Sequence, residues 1–146
     1  MNLKEKLSKV MADCSHISRD AVNDEGGYPY VSAAKINDTV NRALTKYGVT
    51  TVAETKIADI RTIDSKIFAA VEVKITLYDT DSDEQLTITG AGTGIDTSDK
   101  SVAKAQTMAI KYAWKNSLLI ADSADDPDAT AGKVQYKSAS KINVPF

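Results

Sequence analysis

Residues 67–78 read IFAAVEVKITLY, and this stretch decides the fold. Every second residue from Val71 to Leu77 is apolar, and charged or hydroxyl side chains lie between them. Because successive side chains of a strand point to opposite faces, the pattern predicts a strand with one buried face and one wet face. Such a strand belongs to an antiparallel sheet that is covered on one side.

Two further strands are predicted on either side of this stretch. Residues 50–62 are rich in Thr, Val and Ile, and residues 85–89 alternate apolar and polar side chains. Their short connections predict an antiparallel meander. The turn at 79–83 carries three alternating aspartates, but Glu84 and Gly90 stand where a calcium loop needs Gly and Glu. We therefore expect a solvated turn there.

Three helices are predicted by apolar residues at three- and four-residue spacing. The first lies at the N-terminus, and the second follows Ser32, a capping residue, and ends before Gly48. The third runs from about Ser98 to Leu119, with Thr97 or Ser98 as its cap. We predict an α+β fold: an antiparallel three-stranded β-meander with flanking helices that ends in a long basic C-terminal helix.

The composition excludes several classes of protein. The 146 residues carry a net charge of −2, so a uniformly basic protein is excluded and one modest core is expected. A lone Cys14 allows no intramolecular disulfide and fits a reducing cytoplasm. The sequence shows neither a membrane span nor a signal peptide. His16 has no triad partners and the carboxylates do not cluster, so we expect no enzyme, no cofactor and no metal site.

Positive charge is concentrated on the third helix. Four lysines fall within about 60° of arc at 100° per residue: Lys100, Lys104, Lys111 and Lys115. A row of like charges repels itself, and an anionic chain lying along the row would relieve that repulsion. The alternative is an ordinary solvated helix face, because lysine is a good helix former.

The glycine run GAGTG at 90–94 stands between a strand and a helix. It is either a backbone contact to a phosphodiester or a strand end that turns into a closely packed helix, and it matches neither dinucleotide nor Walker patterns. Tyr28 and Tyr30 either stack on bases or staple the entry of the second helix. Trp114 either fills a subunit contact or touches bases.

Two blocks together resemble a known family. The first is YPYVS at 28–32 with the helix behind it, and the second is GTGIDTSDK at 92–100 with KAQT at 104–107, KYA at 111–113 and DDPD at 125–128. They resemble the two signatures of the essential-recombination-function (Erf) proteins of phages. The resemblance covers about residues 28–128.

The resemblance implies ATP-independent annealing of single-stranded DNA by oligomeric rings or filaments with a β-β-β-α core. It places the protein in the cytoplasm of an infected bacterial host and maps the family's motif positions to Asp99, Lys100, Lys111 and Tyr112. Family members often extend further than this chain. The terminal Pro145-Phe146 resembles the tip by which bacterial single-strand-binding proteins dock on repair partners, although Lys141 replaces an acidic residue.

The sequence therefore predicts an annealing domain at 1–121 and an acidic-then-basic tail at 122–146 that is disordered or contacts host or phage partners. The predicted ligand is single-stranded DNA, and the protein is expected to be a homo-oligomer. The alternative is an oligomerising structural or regulatory phage protein without DNA binding, whose basic row meets the acidic segment of another subunit. The predicted DNA-binding residues are the four lysines, with Arg42, Arg61 and Lys74 if they share the face, and Tyr28 and Tyr30.

Overall fold

The computed structural model describes residues 1–122, and the predicted tail from residue 123 onward lies outside the described residues. Among the described residues, no helix is long and apolar enough to cross a membrane. The elements follow in the order α1 (Leu3–Asp13), β1 (Ala21–Val22), β2 (Pro29–Tyr30), α2 (Ala33–Tyr47), β3 (Val49–Ile63), β4 (Lys66–Asp79), β5 (Gln85–Asp96) and α3 (Ser101–Ser117).

The main sheet is a meander with β4 in the centre. β3 and β5 pair with it on either side, both antiparallel, so Val73 lies opposite Thr55 on one side and Gly90 on the other. A register shift between Ile57 and Asp59 introduces a bulge into β3. The predicted α+β class and the three-stranded antiparallel sheet are confirmed.

One face of the sheet carries the core. Val71, Val73, Ile75 and Leu77 of β4 are buried, as their alternation predicts. α3 packs over β4, and α2 packs against α3 and β3. The opposite face, which carries Glu72 and Lys74, is open to solvent. Ser32 caps α2 by accepting a hydrogen bond from the Lys35 N–H, and Gly48 ends that helix in the left-handed region at φ 74°. Both predicted boundaries of the second helix are confirmed.

The glycine run lies inside β5 and faces α3. A Cβ at Gly92 would stand 2.5 Å from the Ala105 carbonyl oxygen and 2.5 Å from the Ala109 nitrogen. Strand residues two apart are separated by about 6.8 Å and helix residues four apart by about 6 Å. Every second residue of β5 can therefore face every fourth residue of α3. The facing helix positions are all small: Ser101, Ala105, Ala109 and Ala113. Of the two interpretations of this run, the structure supports close packing of strand on helix.

α3 begins later than predicted. Residues 97–100 form a bend and turn in which the Asp96 carboxylate accepts hydrogen bonds from the Ser98 N–H and hydroxyl. Lys100 occupies the N-cap position and makes no side-chain cap bond. The predicted cap at Thr97 or Ser98 is therefore wrong, because Ser98 bonds back to the end of β5 instead of forward to the helix.

A buried ion pair joins α1 to the turn after β4. Lys6 Nζ donates to Asp79 Oδ1 at 2.5 Å and to Asp81 Oδ2 at 2.6 Å, and the Asp79 side chain is 1% exposed. Asp79 also accepts from the Ser82 hydroxyl and the Asp81 N–H. The prediction of a solvated turn is therefore wrong at Asp79, whose carboxylate is buried. Its partner Lys6 is far away in the sequence, so local sequence patterns do not reveal the contact.

The Asp79 carboxylate should make the fold acid-sensitive. The hydrogen bond from Lys6, followed by those from Ser82 and the Asp81 N–H, lowers the pKa of Asp79 from 3.8 to about 2. A lowered pKa contributes stability that is complete above the unfolded value and lost as the pH falls toward the folded value. The pKa of Lys6 is raised by the same contacts, so the contribution of Lys6 is constant throughout the acid range.

We therefore expect the wild-type free energy of unfolding to fall between about pH 4 and about pH 2 more steeply than that of Asp79→Asn. Urea unfolding over this range measures it. Asp83→Asn, in the same turn but exposed, should follow the wild type. Parallel pH profiles for wild type and Asp79→Asn would contradict the role of this pair.

Candidate nucleic-acid interface

The four lysines of the predicted row do not share one environment. Lys100 and Lys104 are exposed, whereas Lys111 is 5% exposed and Lys115 is 4% exposed. The expected row of four solvent-facing ammonium groups is therefore wrong at its C-terminal half. The reason is that segments distant in sequence, residues 19–32 and 122, fold over that end of α3.

Lys115 is bound to a buried carboxylate. Its Nζ lies 3.4 Å from Asp122 Oδ2, and the two side chains are 4% and 0% exposed. Asp122 also accepts from the Val31 N–H at 3.0 Å and lies 3.9 Å from Arg19 Nε. Burial lowers the pKa of Lys115, and the charge of Asp122 opposes that shift. The arrangement holds the chain after α3 against the segment before α2.

Lys111 points into a cavity. Its Nζ lies 4.9 Å from the centre of the Tyr30 ring, and within residues 1–122 it forms no hydrogen bond and no ion pair. Burial lowers the pKa of Lys111, while the charges of Asp122 and Asp20 act in the opposite direction. The cavity has a volume of about 350 Å³ and is lined by Asn23, Tyr28, Tyr30, Ser32, Ala33, Met108, Lys111 and Tyr112.

A small hairpin supplies the tyrosines of this cavity. β1 and β2 pair through two residues each, and the loop between them ends at Tyr28. Asn23 accepts hydrogen bonds from the Glu25 and Gly26 N–H groups, and its amide nitrogen lies 3.3 Å from the Tyr28 hydroxyl. The Tyr28 and Tyr30 side chains are half-buried at the cavity wall, so both have surface available for a ligand.

A shallow groove continues from the cavity toward the start of α3. It has a volume of about 490 Å³ and is lined by Thr93, Gly94, Lys100, Ala103, Lys104, Thr107 and Met108. Met108 borders both spaces, so groove and cavity adjoin along one flank of the helix. Lys104 is 55% exposed while its Nζ lies 2.5 Å from Asp96 Oδ2. Its hydrogen bond, with those from Ser98, holds the pKa of Asp96 well below the usual range.

The auxiliary cations lie elsewhere. Lys74 and Arg61 are on the open face of the sheet, where Lys74 is 4.0 Å from Glu54 and Arg61 is 3.1 Å from Asp59. Arg42 is on the exposed side of α2, 3.2 Å from Asp38. The condition that they share a face with the lysines of α3 is therefore not met. Lys74 and Arg61 lie on the sheet face opposite α3, and Arg42 lies on the outer side of α2 near Asp13.

Trp114 and Asp122 also differ from expectation. Trp114 is buried in the core between α2 and the sheet, so neither a subunit contact nor a base contact describes it in this chain. Asp122, assigned from sequence to the tail, is a partner of the domain. No local signal identifies Asp122 as such a partner, whereas Tyr112, which the family motif points to, lines the cavity.

The fold and this flank define a class: a small α+β protein in which a helix packed on a meander borders a groove with two lysines and an adjoining cavity lined by tyrosines. The family model described as the ERF superfamily matches residues 3–145. The chain belongs to the ERF superfamily, as the motifs at 28–32 and 92–100 predicted. No curated protein matches it.

Proposed function

We propose that this protein binds single-stranded DNA and anneals complementary strands without ATP, in phage recombination within the cytoplasm of an infected bacterium. Membership of the ERF superfamily supports the proposal. The observation that supports it most is the groove and the adjoining cavity along α3, whose linings include Lys100, Lys104 and Lys111. In this proposal α3 is the basic helix along which the DNA strand lies.

The chemistry of annealing favours this kind of surface. Ammonium groups attract phosphates without reading bases, so the base edges of a bound strand stay available for pairing. The N-terminus of α3, at Lys100, adds the partial positive charge of the helix dipole to the surface on which the DNA strand would lie. Three phosphate contacts per subunit predict a salt slope of about −2, at about −0.7 per contact for single strands.

Few contacts bind weakly, so repetition is part of the proposed mechanism. A ring or filament of identical subunits adds their contacts along one strand and raises the effective affinity. We therefore propose a homo-oligomer, which electron microscopy with and without single-stranded DNA examines directly. Partner binding through the C-terminal tail stays a prediction, because most of the tail lies outside the residues that the structure describes.

The decisive test compares two double variants that each remove two positive charges. The groove pair, Lys100→Gln with Lys104→Gln, removes both ammonium groups from the groove. The sheet pair, Lys56→Gln with Lys74→Gln, removes two from the open face of the sheet. Fluorescence anisotropy with an oligo-dT strand should show about tenfold weaker binding for the groove pair and a salt slope reduced by about 1.4. The sheet pair should bind as the wild type does.

A fluorescence-quenching assay with complementary strands, run without ATP, measures annealing by the same variants. We expect the groove pair to anneal more slowly and the sheet pair to match the wild type. If both pairs lost annealing activity equally, the groove would not be the DNA-binding surface. A wild type that binds no DNA at low or high salt would instead favour the oligomerising protein without DNA binding.

A further inference from the structure

The cavity beside α3 combines a buried cation with aromatic rings. We propose that it holds one nucleotide of the bound strand, with the base against the tyrosine rings and a phosphate at Lys111. This inference rests on the proposed function and adds a subsite to it. The remaining nucleotides would follow the groove toward Lys100.

The first observation is the state of Lys111. Lys111 is 5% exposed as a residue, and its ammonium group opens into the cavity, where it forms no ion pair with any of residues 1–122. The nearby carboxylates are already used: Asp20 accepts from the Ser32 N–H at 2.8 Å and from its hydroxyl at 2.6 Å, and Asp122 is bound to Lys115. A phosphate oxygen entering the cavity would therefore meet an ammonium group that no carboxylate of the described residues neutralises directly.

The second observation is the wall of the cavity. Tyr28, Tyr30 and Tyr112 line it together, and aromatic rings stack on any base because every base has a π-face. Lys111 lies over the Tyr30 ring, so the aromatic and cationic parts of the site are adjacent. A volume of about 350 Å³ is at the small end of ligand pockets. A cavity of this size fits a single base.

The third observation is that the hairpin holds Tyr28 in place before any ligand arrives. A Cβ at Gly26 would overlap the Tyr28 ring, and Asn23 binds its hydroxyl. A ring that is positioned in advance loses little freedom on binding, which favours affinity. Gly26 is therefore part of the site through Tyr28, as a positioning residue.

The test separates the base from the phosphate. Oligo-dT and an abasic strand of the same length are titrated at one salt concentration against the wild type, Tyr28→Leu, Gly26→Ala and Tyr78→Leu. We expect the wild type to bind oligo-dT about tenfold more tightly than the abasic strand. That ratio should shrink severalfold in Tyr28→Leu and in Gly26→Ala, while binding of the abasic strand stays unchanged.

Tyr78 is the matched control, since it is a partly exposed tyrosine on the open face of the sheet. Tyr78→Leu should retain the wild-type ratio. An unchanged ratio in Tyr28→Leu, or equal wild-type affinity for both strands, would overturn the base subsite and leave the proposed function standing. A wild type that binds neither strand would overturn both.

Discussion

Replacing Gly92 by alanine is expected to lower the free energy of unfolding by about 3 kcal/mol, at the upper end of overpacking effects. The added Cβ would lie 2.5 Å from the Ala105 carbonyl oxygen. That oxygen belongs to the backbone of α3, so no side-chain rotation relieves the overlap. The helix must move off the sheet, and the contacts of Ala105 and Ala109 with β5 are lost.

Ala91→Val is the matched control for this change. Ala91 precedes Gly92 in β5 but faces the open side of the sheet, where it is exposed. A substitution there is expected to change stability by less than about 0.5 kcal/mol. Urea unfolding of the two variants and the wild type measures the difference. A Gly92→Ala protein as stable as the wild type would mean that helix and strand are not in close contact.

The glycine run also shows where local patterns are sufficient and where they fail. Alternation identified the central strand β4 and its buried face, because period two is a property of the strand itself. Residues 90–94 alternate too, but with glycine on the covered face, so hydropathy carries no signal. The available signal was the match between glycines two apart in β5 and small residues four apart in α3.

The site was harder to predict than the fold for a similar reason. Helix geometry placed Lys111 and Lys115 on the same face as Lys100, and this angular relation does not depend on tertiary structure. Burial does depend on it, since the hairpin at 21–30 and Asp122 reach α3 from other parts of the chain. A periodic pattern therefore grouped these lysines on one helix face, but it could not show which of them are exposed, which face the cavity and which form ion pairs.

That division predicts opposite results for two lysines one helical turn apart. Lys115→Met should lower the free energy of unfolding by about 3 kcal/mol, because removing one partner of a buried ion pair leaves the other charge insufficiently compensated. Asp122, whose side chain is 0% exposed, is that charge. Lys111→Met should leave stability unchanged or raise it, since it removes an ammonium group that forms no ion pair in the described part of the chain.

DNA binding should show the reverse order. Lys111→Met is expected to bind oligo-dT about tenfold more weakly, the scale of one lost charge-assisted hydrogen bond. Lys115→Met, measured well below its unfolding temperature, should bind as the wild type does once the folded fraction is accounted for. Urea unfolding and anisotropy on the same preparations provide both measurements. If Lys111→Met unfolds early and binds normally, Lys111 is a structural residue and the strand does not enter the cavity.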